Sequence, residues 1–324
     1  MEVSMETKWL EDFVSLAETH SFSRSAELRH VTQPAFSRRI QSLEAWLGTE
    51  LIDRSAYPTS LTSAGEVFYE QAVEMLGLIN NTRAMLQGNR PGAQGVVDFA
   101  TPHTLSLTYM PQWLNSLEGG FGRFKTRLIA LNVHDAVMTL VEGGCDLLLC
   151  YHQPRQPVQL DTGRYDMLTM GTERLRPYSR CNKDGQPVFP FPGTQQQPVP
   201  FLSYTTNAYL GRMVELILSD TKKTLYLDKY YENDLAESLK MMAIEGHGVA
   251  FLPESAVYKE LRDKQLVRAD TDSGNWEVCM EIRLYRERPT AQRPGKAIVS
   301  RLWDYLVQMQ ARNETWQPVT YGSN

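Results

Sequence analysis

Gln33, Pro34, Ser37, Arg38 and Gln41 recur at spacings that return to one side of a helix. Several are side chains that reach base edges, Gln pairing twice with adenine and Arg twice with guanine in a major groove. Thr32 can cap such a helix, and Pro34 is tolerated in its first turn, where N–H groups have no intrahelical acceptor to lose. Phe36, Ile40, Leu43 and Leu47 repeat on the opposite side as a buried stripe. Taken alone, this stretch also fits a helical hairpin with a merely solvated polar face.

The elements that must hold this face lie on either side. Ser23 can cap a short preceding helix with Ala26 and Leu28 inward, and only Arg29, His30 and Val31 separate the two helices. That is helix-turn-helix spacing, in which the second helix enters the major groove N-terminus first. The cations that matter are local: Arg24, Arg29, Arg38, Arg39 and Arg54, with Ser23 and Thr32 among them. A first helix over residues 7–18 supplies Trp9, Leu10, Phe13, Val14, Leu16 and Ala17 to a small three-helix core. Gly48 offers a stop, and residues 51–54 and 57–61 read as the two strands of a wing, with Arg54 near the DNA backbone. From residue 62 to about 87 a long helix carries Phe68, Ala72, Met75, Ile79 and Leu86 in alternating four- and three-residue steps. This is a coiled-coil-like dimerisation seam, and residues 88–92 form the hinge after it.

Length sets the remaining scale, since 324 residues call for two or three domains. With 42% hydrophobic and 22% charged residues the chain reads as a globular protein without a membrane span, and residues 1–8 lack an apolar signal core, so a cytoplasmic location is expected. The net charge of −5 does not itself favour nucleic acid, but phosphate neutralisation is decided locally. Cys145, Cys150, Cys181 and Cys279 form neither a CxxC pair nor a zinc spacing, and no metal or cofactor is expected. Cys181, close in sequence to Arg176, Arg180 and Lys183, is a candidate reactive thiol as well as an ordinary free one.

Beyond Gly95 strand and helix alternate: strands at 96–100, 128–131 and 146–151, with helices at 105–117 and 135–142 between them. The pattern loosens from 154 to 200. It then resumes with strands at 201–204, 224–227 and 249–252, helices at 207–218, 234–244 and 254–264, a strand at 278–285 and a helix at 297–310. Two α/β units imply two lobes around a cleft, and open parallel sheets bind ligands at strand carboxyl ends. His103, Thr104 and Ser106, Asn132 and His134, His152, and Thr205, Thr206 and Asn207 all follow strands and are the candidate effector contacts. Each is equally a plain helix cap by residue type. Hydroxyl, amide and N–H donors favour a small anion or polar metabolite. Oxidation of Cys181 or of Met241 and Met242 is the alternative signal.

The whole chain resembles the LysR-type transcriptional regulators. The likeness rests on Trp9-Leu10-Glu11-Asp12-Phe13, on residues 21–27, on residues 32–40, on Leu43-Glu44 and Leu47-Gly48, and on residues 51–54 and 61–65. It is carried more loosely by residues 245–253 and by Thr104. It implies a multidomain protein: a winged helix-turn-helix domain (1–61), a linker and dimerisation helix (62–88), a hinge (89–94) and a two-lobed α/β effector domain like a periplasmic binding protein (95–324). Lobe I would take residues 95–175 and 282–324, and lobe II residues 176–281. Within the family, residues 6–10, 33–40 and 207–212 are similar to the hypochlorite-responsive branch, although Leu117, Leu210 and Leu235 stand where that branch has its proposed sensing methionines.

The function implied is a sequence-specific regulator that binds double-stranded promoter DNA under control of a small-molecule or oxidant signal. The partners implied are a second copy in a dimer, two dimers in a tetramer, and RNA polymerase if the regulator activates. The competing reading is a small-molecule-binding protein or enzyme with an accessory helical domain. No GxGxxG, P-loop, zinc pattern or nucleophile elbow supports an enzyme.

Overall fold

A computed structural model of the chain describes residues 5–55, 58–86, 95–221, 223–270, 276–291 and 293–312, with the long helix's side chains described at 63–73 and 75–79. The chain opens with helices α1 (Thr7–Thr19), α2 (Phe22–Leu28) and α3 (Gln33–Leu47). Leu10, Phe13, Val14 and Leu16 of α1 meet Ala26 of α2 and Phe36, Ile40 and Leu43 of α3 in one core. The cap of α2 differs from the expected Ser23. Ser21 is the extended residue before the helix and its Oγ accepts the Arg24 N–H at 3.4 Å, which leaves Ser23 exposed in the first turn. Thr32 occupies the N-cap of α3 without a side-chain bond, and α3 ends at Gly48, whose φ of 71° a side chain would disfavour.

Strands β1 (Ile52–Asp53) and β2 (Ser60–Leu61) pair antiparallel as the wing; Tyr57 lies outside the described residues. Helix α4 (Ser63–Leu86) starts hard against the wing, where Gly65 is obligatory because a Cβ there would sit 2.1 Å from the Leu51 carbonyl oxygen. Phe68 packs on Phe13 with centroids 5.4 Å apart, and the Tyr69 hydroxyl bonds the Glu18 carboxylate, so α4 is anchored to α1. The expected hinge, residues 88–94, lies outside the described residues.

The remainder forms strands and helices in the order β3 (Val96–Pro102), α5 (His103–Thr108), α6 (Met110–Leu117), β4 (Lys125–Leu131), α7 (Val133–Val141), β5 (Leu147–His152), β6 (Tyr165–Arg180), β7 (Val199–Tyr204), α8 (Tyr209–Ser219), β8 (Leu227–Asn233), α9 (Ala236–Ile244), β9 (Val249–Pro253), α10 (Tyr258–Arg262), β10 (Leu266–Arg268), β11 (Val278–Glu287) and α11 (Ala297–Ala311). The strands join in one sheet ordered β4-β3-β5-β11-β6-β9-β7-β8, with β10 beside β6.

Four expectations are corrected here. The segment 154–200 is not loose throughout, because it contains β6, a 16-residue strand whose half-buried alternation is interrupted by Gly171 and Pro177. The strand expected at 224–227 runs instead over Leu227–Asn233 at the sheet edge. The helix expected at 254–264 divides into a 3-10 turn, Glu254–Ala256, and α10. The sheet is also not purely parallel: β3, β4 and β5 are parallel, as are β7, β8 and β9, but β6 and β11 run antiparallel between the two sets.

Candidate nucleic-acid interface and effector cleft

The register of the long strands fixes where the two parallel sets meet. His152, the last residue of β5, lies opposite Glu281 of β11, which lies opposite Thr172 of β6. Pro253, the last residue of β9, lies opposite Leu175 of β6. Carboxyl ends of strands from both lobes therefore converge on residues 172–175, and α5 packs on the Glu254–Ala256 turn across this line. Open α/β sheets bind ligands at such strand ends, which makes this convergence the candidate effector crevice.

His103, Thr104 and Ser106 occupy α5 directly after β3, Asn132 follows β4, His152 ends β5, and Thr205, Thr206 and Asn207 follow β7. Their hydrogen bonds are largely local. Ser106 Oγ donates to the His103 carbonyl at 2.6 Å, and the Thr205 N–H donates to the Asn233 carbonyl at 3.2 Å. Asn132 is the N-cap of α7 without a side-chain bond. His152 is buried, its Nδ1 has no partner among the described residues, and burial together with the Arg283 charge lowers its pKa. His134 is held down at about 4, by burial first and then by the Arg24, Arg29 and Arg212 charges.

Sequence reading missed the groups at the base of this crevice. Thr101 and Tyr151 are buried, and their hydroxyls have no hydrogen-bond partner among the described residues. The Tyr209 ring of α8 stacks on Tyr151 at 6.3 Å and 10°. Glu173 is buried and accepts the Ser255 hydroxyl, the Ser255 N–H at 3.3 Å and the Arg174 N–H at 3.1 Å. Burial pushes its carboxyl up to about 7 despite those bonds. Tyr151 ends an apolar strand and was findable by that position; Glu173 lies in the segment read as loose.

On the DNA-binding side, Ser23, Thr32, Gln33, Pro34, Arg38 and Gln41 are exposed on one face, with Arg24 and Ser37 half-buried. Ser23 Oγ lies 3.3 Å from Gln33 Oε1, and Arg38 Nε bonds back to the Pro34 carbonyl at 3.3 Å. Among the described residues no carboxylate pairs with Arg38. Two of the expected contacts also carry ion pairs within the domain. Arg39 Nη1 turns inward to Asp12 Oδ2 at 3.1 Å, and Arg54 Nη2 meets Glu44 Oε2 at 2.5 Å.

The seam of α4 also divides. Phe68 and Ala72 belong to the chain's own core, Met75 and Ile79 face outward with Val67 and Leu78, and the Leu86 side chain lies outside the described residues. Cys181 is half-buried beside the Asn182 carbonyl, while Arg176 is committed to Glu277 and Glu254 and Arg180 to the Glu245 carbonyl. Two of the three cations expected to activate that thiol, Arg176 and Arg180, are thus engaged elsewhere.

A winged helix-turn-helix carried on a long helix and followed by a two-lobed α/β domain defines a DNA-binding regulator with an effector domain. Residues 7–66 match the bacterial regulatory helix-turn-helix protein of the lysR family, and residues 90–311 match the LysR substrate binding domain. The chain belongs to the LysR family of transcriptional regulators. It is 30% identical to the HTH-type transcriptional regulator YjiE of Escherichia coli over 95% of this chain and 96% of that one. Among solved structures it resembles full-length HypT of Salmonella typhimurium, a hypochlorite-specific LysR-type regulator, at 30% identity and a TM-score of 0.56, covering 95% of this chain and 99% of that one. It also resembles DarR of Vibrio fischeri in complex with DNA, at 31% identity and a TM-score of 0.55, over 92% and 98% of the two chains. These relatives are regulators, and the chain is a regulator rather than an enzyme. No helix among the described residues is long and apolar enough to cross a membrane.

Proposed function

We propose that the chain senses a small polar or anionic effector in the crevice at residues 172–175 and converts its occupancy into a change in promoter binding. The carrying observation is the meeting of strand ends from both lobes near Tyr151, whose buried hydroxyl, like that of Thr101 near the end of β3, has no hydrogen-bond partner among the described residues. Buried polar groups without partners cost free energy that a hydrogen-bonding ligand recovers. Thr104, His103, Ser106, Asn132 and His152 approach from lobe I, and Thr205, Thr206 and Asn207 from lobe II. An effector that touches both lobes favours the arrangement in which both contacts form, and only such differential binding shifts an equilibrium.

In this reading residues 1–61 bind double-stranded promoter DNA through Ser23, Arg24, Thr32, Gln33, Pro34, Ser37, Arg38 and Gln41. Residues 62–88 pair two copies, 89–94 connect them to the effector domain of residues 95–324, and that domain joins two dimers into a tetramer. The protein works in the cytoplasm with the chromosome it reads, and as an activator it would contact RNA polymerase. The test is calorimetry of the full chain against a panel of small carboxylates, phosphates and polar metabolites, comparing wild type with Thr104→Val and Tyr151→Phe. The expected result is a ligand whose affinity falls in both variants; binding that is indifferent to both refutes the cleft.

A second reading draws on the half-exposed thioether of Met241 and the likeness to a hypochlorite-specific regulator. Intact-mass measurement after mild hypochlorite treatment separates the two readings. A promoter response that follows oxidation of Met241 and persists in Thr104→Val favours the oxidant.

A further inference from the structure

The DNA-binding domain presents fewer free cations than its sequence contains. Asp12 is fully buried in α1, and its two oxygens are both occupied: Oδ1 accepts Arg29 Nε at 2.9 Å and Oδ2 accepts Arg39 Nη1 at 3.1 Å. Arg29 also bonds the Glu11 carboxylate. Arg29 sits at the C-cap of α2, and Arg39 lies in the recognition helix beside the outward Arg38. One carboxylate thus ties all three helices of the domain together. The Arg39 side chain keeps 27% of its exposure, so its ion pair rather than packing holds it, whereas Arg29 is also held by burial and lies within the electrostatic reach of His134 and Asp135 of α7.

We infer that Asp12 is a positioning residue that sets DNA specificity, by seating α3 against α1 and α2 and by withholding Arg39 from the phosphate backbone. Sequence-independent affinity grows with every phosphate a cation neutralises, and it shows as the slope of log affinity against log salt, about 0.9 per contact on duplex DNA. Base-edge contacts supply discrimination instead. A domain that retires an arginine of its recognition helix onto an internal carboxylate lowers its affinity for every sequence while leaving Gln33 and Arg38 to choose among them. Releasing Arg39 adds a phosphate contact of no sequence value and loosens the helix that reads bases. Both effects reduce the ratio of specific to non-specific binding.

The test uses the full chain and two probes: a duplex that the wild-type chain selects from a random-sequence pool, and a mixed-sequence duplex lacking that site. Affinities are measured from 50 to 200 mM KCl. Asp12→Asn keeps the shape and an acceptor oxygen but removes the charge. It should steepen the salt slope on the mixed duplex by about one, raise affinity for that duplex, and lower the specificity ratio roughly tenfold. Adding Arg39→Gln should return the slope to the wild-type value, a rescue that a merely structural role for Asp12 does not produce. Arg39→Gln alone should leave the slope unchanged, and this decides the matter if Asp12→Asn does not fold. A folded Asp12→Asn with wild-type slope and ratio overturns the inference, as does a slope that falls by about one in Arg39→Gln alone.

Discussion

The Glu44 carboxylate lies 2.5 Å from the Arg54 guanidinium and, through its other oxygen, accepts the N–H groups of Leu51 at 2.9 Å and Ile52 at 3.2 Å. One buried side chain therefore joins the recognition helix to the start of the wing. Removing it strands two backbone donors, while Arg54 stays solvated. Glu44→Ala should destabilise the domain by about 2–4 kcal/mol, since each buried unpaired donor costs about 1–3 kcal/mol. Thermal melting of the full chain should show the helix-turn-helix unit unfolding several degrees earlier. A melt identical to wild type refutes the bridge.

Arg38 and Gln33 stand exposed at the N-terminal end of the recognition helix without a competing carboxylate. Arg38→Ala and Gln33→Ala should each cost about 1–3 kcal/mol on the selected duplex if they meet base edges. Their effect on the mixed duplex should be smaller. Arg24→Ala, in contrast, should weaken both duplexes alike and flatten the salt slope by about one, as a phosphate contact does. Equal losses on both duplexes for Arg38→Ala and Gln33→Ala would make them backbone contacts.

How far these features could be read without coordinates depends on the range of the interaction that makes them. The recognition helix was legible because Phe36, Ile40 and Leu43 repeat within a single turn-by-turn pattern and Pro34 marks its start. The role of Asp12 was not, since its partner Arg39 is 27 residues away and nothing local distinguishes a buried carboxylate in a helix from a solvated one. Strand β6 was hidden for a related reason. It is apolar only on alternate residues, and it carries Gly171 and Pro177, which punctuate loops elsewhere. Its loss concealed the crossing of strands at residues 172–175, and with it Glu173. Strands β3 and β7, which precede Thr104 and Asn207, are legible to within two residues because buried parallel strands are nearly continuous apolar runs.

Helix α4 exposes Val67, Met75, Leu78 and Ile79 along one side while burying Ala72, Val73 and Leu76 on the other. The exposed side is the better candidate for pairing with a second copy. Leu78→Glu should dissociate the assembly without unfolding it, because the residue is 69% exposed in a single chain and a charge there is costly only against an apolar partner. Ala72→Glu should instead lower the melting temperature sharply, whatever the assembly does, since that site is filled core. Light scattering and melting curves on the same samples distinguish the two. A Leu78→Glu chain of unchanged mass places the dimer contact on another surface.

Glu173 provides a pH signature for the crevice. Its carboxyl titrates at about 7 in the folded chain against a usual value of 4.5, with burial as the leading cause. The folded state therefore keeps a proton that the unfolded chain has released, and stability falls as pH rises from about 4.5 to about 7. The total is on the order of 3 kcal/mol, the free energy of a shift of that size. Glu173→Gln supplies a permanently neutral side chain whose carbonyl accepts the Arg174 and Ser255 N–H groups and whose NH2 donates to the Ser255 hydroxyl oxygen, so it should escape this loss. Its melting temperature should match that of wild type near pH 5 and exceed it by several degrees at pH 8. Differential scanning calorimetry at pH 5, 6, 7 and 8 checks this directly, with the difference between the two proteins as the readout so that other titrating groups cancel. A difference that does not vary with pH, or that shrinks as pH rises, would mean that Glu173 is ionised in the folded protein and that the crevice is wet enough to solvate it.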